Sequence, residues 1–158
     1  MQSSPNFTLL TTTKVEGLII EKYARNLAIF RALDKRRATV DMLVDAFHEH
    51  DLAAHAETGH ARSLIDMRVS GWPSAYGISV FVFDSAQNTP PDLIESFAFL
   101  MADGFAARMM AVMLRDFIPR VQNASRMFFD EAEALHWLYE RDLTLTPRCH
   151  AGGATKTR

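Results

Sequence analysis

Hydrophobic and polar positions change period several times along the chain, and each change marks an element. Residues 15–23 and 26–33 are rich in β-branched and aliphatic side chains, with Ala24-Arg25-Asn26 between them. Two such runs with a short polar connection predict an antiparallel hairpin, with Gly17 interrupting the first. From Ala38 the period lengthens. Val40, Leu43, Val44 and Phe47 repeat at i, i+3, i+4, i+7, while Asp41, Asp45 and Glu49 fall on the other side. That spacing predicts a helix to about Ala56, with Thr39 capping its first turn and Gly59 as its stop.

The rest of the chain keeps alternating. Residues 62–67 are apolar in the middle and read as a buried strand, and a loop with Gly, Pro and two serines follows over residues 68–74. Ile78-Ser79-Val80-Phe81-Val82-Phe83 has strand propensity, yet Tyr76, Val80, Phe83 and Gln87 are helically spaced. Two parallel strands on either side need a crossover, which favours a helix over residues 74–87, with a strand as the alternative. Residues 96–101 and 126–129 read as strands. Residues 104–117 and 131–140 read as helices, the last capped by Asp130.

This order predicts a single α/β domain: a mixed β-sheet of about five strands, an N-terminal hairpin and about four helices. Residues 1–14 are expected to be flexible, residues 15–142 to form the domain, and residues 143–158 to be a disordered tail without periodicity. A chain of 158 residues can bury a core of that kind.

Composition narrows the function classes. A formal charge of −2 argues against a generic nucleic-acid binder, because phosphate contact needs a concentrated basic field. Lys35-Arg36-Arg37 is a solvated turn on that view. Cys149 has no second cysteine to pair with, in keeping with a reducing, cytoplasmic setting. The amino terminus lacks a basic segment followed by an apolar run, and no stretch reaches the ~20 apolar residues of a membrane span. No membrane insertion is therefore expected.

Candidate chemistry is sparse. His48, His50, His55 and His60 are the densest ligand-type residues, but their spacing does not put them on one helix face. Solvated helix and turn histidines are the plainer reading. Asp66 and Arg68 end the predicted middle strand, where open α/β sheets hold ligand crevices; a pair that fixes the loop is the alternative. Arg108, early in its helix, could hold an anion or form a salt bridge to Asp103 or Glu131. Met101, Met109, Met110, Met113 and Met127 with Phe105, Phe117 and Phe128 form a soft apolar set, either core or the lining of a greasy site. Gly-x-Ser-x-Gly, a Gly-rich phosphate loop and a dinucleotide fingerprint are absent from the sequence, so neither an enzyme nor a cofactor is expected.

Certain segments carry a likeness. Leu64-Ile65-Asp66-Met67-Arg68 with Trp72-Pro73-Ser74, then Ala98-Phe99-Leu100-Met101-Ala102-Asp103 with Gly104-Phe105-Ala106-Ala107-Arg108-Met109, resemble the SpoIIAA-like or STAS-like domains of bacteria. The close, Arg126 to Leu138, is similar to that group's strand, acidic turn and Ala-Leu-x-Trp-Leu helix. The resemblance implies a regulatory domain that binds a protein partner, such as a kinase or a second copy of itself. It also implies a phosphorylated serine at the start of the helix after the middle strand, where Ser70 or Ser74 stands. The family's Asp-Ser-Ser-Gly-like sequence is missing; Val69-Ser70-Gly71 is its partial echo. The surface so implied runs from Arg68 to Tyr76 with Arg108. Some related folds bind lipids, so a carrier or sensor of a small apolar ligand is the alternative function.

Overall fold

The computed structural model describes residues 7–71, 73–105, 107–108 and 124–145. Six strands form one sheet in sequence order: β1 (Leu9–Val15), β2 (Leu18–Tyr23), β3 (Leu27–Ala32), β4 (His60–Asp66), β5 (Ile94–Leu100) and β6 (Ala124–Phe128). The first three are antiparallel neighbours, and the pairings of β3 with β4, β4 with β5 and β5 with β6 are parallel. Three helices are described: α1 (Arg37–Glu57), α2 (Ala75–Asn88) and α3 (Glu131–Leu145). The mixed α/β class is as the sequence predicts.

Residues 75–88 are helical, so the crossover argument prevails over strand propensity there. Several expectations need correction. The sheet has one strand more than predicted, because Leu9–Val15 lies in the segment expected to be flexible. All seven of its residues are exposed, so no buried face imposes the alternation that betrays most strands. Gly17 is no interruption within a strand. It makes the turn between β1 and β2, with φ of 81° and its missing Cβ facing Thr39 and Asp34. Thr39 does not cap α1: it is buried, and its hydroxyl donates to Asp34 Oδ1 at 2.6 Å. Helix α3 runs to Leu145, into the segment expected as tail, and residues 146–158 lie outside the described residues. The helix predicted over residues 104–117 also lies outside them beyond Arg108.

Side-chain alternation sorts the core into two layers. Leu27, Ile29, Leu64, Ala98, Leu100 and Phe128 face α3, where Ala134 and Leu138 cover them. Ala28, Phe30, Ile65, Phe97, Phe99 and Met127 face α1 and α2, packing with Phe47 and Phe81. The predicted apolar set is therefore not one surface: Met101 and Met127 lie on the α1–α2 side, Phe128 on the α3 side. Phe105 is exposed, and Met109, Met110, Met113 and Phe117 lie outside the described residues.

Candidate functional site

The parallel register sets Arg31 beside Asp66 at the carboxyl end of the sheet, on the α3 face. Arg31 donates to Asp66 Oδ2 at 2.8 Å, to Glu131 Oε1 at 2.8 Å and to Glu21 Oε2 at 3.0 Å. Arg68 turns back from the loop and donates to Asp66 Oδ2 at 2.8 Å and Glu131 Oε2 at 2.6 Å. Burial raises the pKa of Asp66, but hydrogen bonds from Arg68 and Arg31 outweigh it and hold the carboxyl below its ordinary range. Glu131 is likewise held down, foremost by its hydrogen bond from Arg31. Asp66 and Arg68 thus belong to a network of two guanidiniums and three carboxylates that ties the loop to β3 and α3.

The other predicted residues also have local partners. Ser74 is the N-cap of α2, and its hydroxyl oxygen accepts from the Gly77 N–H at 3.1 Å. Ser70 sits at the Gly71 turn, where φ is 76°. Tyr76 donates to Asp41 Oδ1 at 2.6 Å, with the Arg37 guanidinium 4.8 Å above its ring. Arg108 grips Asp103 through two hydrogen bonds of 2.6 Å. Trp72 lies outside the described residues.

Two buried polar groups escaped the reading of the sequence. At the amino end of the sheet, His60 Nε2 lies 3.0 Å from Ser96 Oγ, and Arg141 Nε donates to the same oxygen at 3.0 Å. That distance would suit a nucleophile and its base, and both groups are buried, Ser96 at 0% and His60 at 1% exposed. His50 is buried too, its Nε2 3.2 Å from the Arg62 carbonyl. These two histidines are therefore not solvated, contrary to expectation; burial lowers each to a pKa of about 4. The second group is Asp51 and Glu95, a buried carboxyl pair between α1 and β5. A signal for both helical residues existed. The apolar stripe Val40-Val44-Phe47 continues at helical spacing through His50, Asp51 and Ala54. Among the described residues, no cluster of three metal-type side chains forms.

Helix α2 stands apart from the sheet. Its backbone packs against α1 alone among the described elements, with Gly77 facing Val40. Phe81 is its main inward anchor, with ring centroids 5.0 Å from Phe47 and 6.3 Å from Phe97. Beneath it lies a cavity of about 400 Å³ bordered by Val44, Ile65, Met67, Phe99, Ser125 and Met127. Ile78 and Val82, which also border the cavity, are 45% and 60% exposed, Phe83 is 64% exposed, and Val69 in the preceding loop is 72% exposed.

A mixed sheet that opens with antiparallel strands and continues in parallel, covered by helices on both faces, suits a SpoIIAA-like fold. In keeping with this, the structure is similar to the crystal structure of an uncharacterised protein of the DUF3478 family with a SpoIIAA-like fold from Shewanella loihica PV-4. The TM-score is 0.54 at 16% identity, and the likeness covers 87% of this chain and 99% of the other. No family model and no curated protein matches the sequence. The likeness establishes the fold; it carries no activity with it. No described helix is long and apolar enough to cross a membrane.

Proposed function

We propose that this chain is a non-enzymatic regulatory domain of STAS type that acts by binding another protein through the outer face of α2 and the loop before it. The observation that carries the reading is the exposure of Val69, Ile78, Val82 and Phe83 on adjoining segments. Large apolar side chains clustered on a surface cost free energy in water and commonly mark contact sites. Aromatic anchors such as Phe83 supply much of the energy when such a face is covered. The ion network of Arg31, Asp66, Arg68 and Glu131 holds the base of this loop in place, giving the surface a rigid support.

Ser70 and Ser74 are the modification points of this reading. A phosphate on Ser74 would replace the hydroxyl cap at a helix amino terminus, where negative charge is favoured. Capture of binding proteins from the producing cells by the full chain and by Phe83→Asp, with folding checked by circular dichroism, tests the proposal. A specific partner lost in the variant is expected. A partner retained equally by Phe83→Asp and Val82→Asp overturns the assignment of this face.

A further inference from the structure

We propose that the free edge of β1 pairs antiparallel with β1 of a second copy of this chain, joining two sheets into one across a two-fold axis at Thr13. Strand β1 ends the sheet, so one side of its backbone has no neighbouring strand among the described residues. All seven of its residues are exposed, and no described helix packs on it. Sheet edges normally carry a proline, several charges or a very short strand, which prevents such pairing. Between Leu9 and Val15 there is no proline, and Lys14 is the one charge. Three consecutive threonines supply β propensity in side chains that water can still reach.

The existing ladder selects the register. The Leu33 N–H donates to the Gly17 carbonyl at 2.8 Å, extending the β2–β3 pairing beyond Leu18 and Ala32 by one odd-numbered position. Strand β2 therefore bonds to β3 through its odd-numbered residues, and to β1 through Leu18, Ile20 and Lys22. Their partners Val15, Thr13 and Thr11 turn their backbone groups inward, which leaves the N–H and C=O of Thr12 and Lys14 pointing out. With the axis at Thr13, Thr12 of each chain exchanges two hydrogen bonds with Lys14 of the other. An axis at Thr12 would rely on Leu10, where the pairing with β2 slips. An axis at Lys14 would set two ammonium groups directly opposite each other, which is unfavourable. The Thr13 register also suits the charges. Lys14 of the second copy arrives beside Thr12, on the side of the sheet where Thr12 pairs with Glu21. That carboxylate meets Arg31 through Oε2, and a carboxylate accepts from two cations at once.

Cross-linking and sedimentation of the full chain test the pairing. Opposed residues of a non-hydrogen-bonded pair bring their Cβ atoms within disulfide reach. In a Cys149→Ser background, Thr13→Cys is expected to give a disulfide-linked dimer on mild oxidation. Thr12→Cys should stay mostly monomeric, because its two copies stand a full pair apart. By sedimentation velocity the wild type should show a concentration-dependent dimer, weakened at least tenfold by Thr12→Pro. That change removes an outward N–H and spares the ladder to β2. Circular dichroism checks folding; should Thr12→Pro fail to fold, Lys14→Glu, which brings a carboxylate toward Glu21, provides the same test. Phe83→Asp, on α2, should dimerise like the wild type, which separates this contact from the face proposed above. A chain that is monomeric at every concentration, equal dimerisation of a folded edge variant, or no preference for Thr13→Cys over Thr12→Cys overturns the pairing.

Discussion

Asp51 on α1 and Glu95 on β5 form a buried carboxyl pair inside the α1–sheet layer, 1% and 4% exposed. Two buried carboxyls side by side cannot both ionise without a large cost. Burial is the main cause that lifts Asp51 to about 8 and Glu95 to about 7, and the charges of Glu95 and of Asp84 on α2 raise Asp51 further. The folded chain therefore holds a proton that the unfolded chain releases near the ordinary carboxylate value of 3.8.

Stability contributed by that proton falls as pH rises toward about 8. The limiting slope is about 1.4 kcal/mol per pH unit for one proton. Asp51→Asn keeps the shape and removes the Asp51 titration, leaving only that of Glu95. Urea midpoints between pH 6.5 and 9 should decline in the wild type and stay flatter in the variant. Parallel curves would contradict the raised Asp51 carboxyl.

His50 and His60 act in the opposite direction. Both are neutral when folded, with burial lowering each to about 4, while the unfolded chain protonates near 6.5. Stability is thus lost as pH falls from 6.5 toward 4. His60→Gln should reduce the difference between urea midpoints at pH 6.5 and pH 4.5. An unchanged difference would show that His60 titrates normally.

Removal of Arg31 leaves Asp66 and Glu131 facing each other with Arg68 alone to neutralise them. Arg31→Met should cost about 2 kcal/mol, less than a fully buried pair because solvent reaches one side. Arg31→Lys should recover under half of the loss, since an ammonium cannot match the guanidinium fork. Chemical denaturation of the two variants checks both statements.

Gly17→Ala tests the β1–β2 turn. A methyl there meets Thr39 and Asp34, and the backbone φ of 81° is unfavourable for any side chain. A loss of about 1–3 kcal/mol is expected. Gly59, also at positive φ but with open space around its Cβ position, should tolerate alanine better. Thermal unfolding of the pair ranks them.

The sequence made the layered architecture legible wherever one face of an element was apolar and the other polar. Helix α1 was readable on that basis, strands β3 to β6 from short apolar runs between polar turns, and the Asp130 cap of α3 from residue type; the Glu133 N–H does donate to Asp130 Oδ1 at 2.9 Å. Strand β1 was not, because a strand exposed on all its residues has no pattern to read. The polar groups His50, Asp51, His60 and Arg62 were misjudged or missed for the converse reason. Residue type suggested solvent, while strand parity and the helical stripe put them inside. Both the outer face of α2 and the cavity beneath it depend on the distance between helix and sheet, which no local pattern encodes.

The account centres on α2 as the contact element. Amide hydrogen exchange of the chain, free and bound to its captured partner, addresses this most directly. Slowed exchange across Ala75–Asn88 and the loop around Val69, with β1 and α3 unchanged, is the predicted result. Protection confined to β1 or α3, with α2 exchanging as in the free chain, would contradict it.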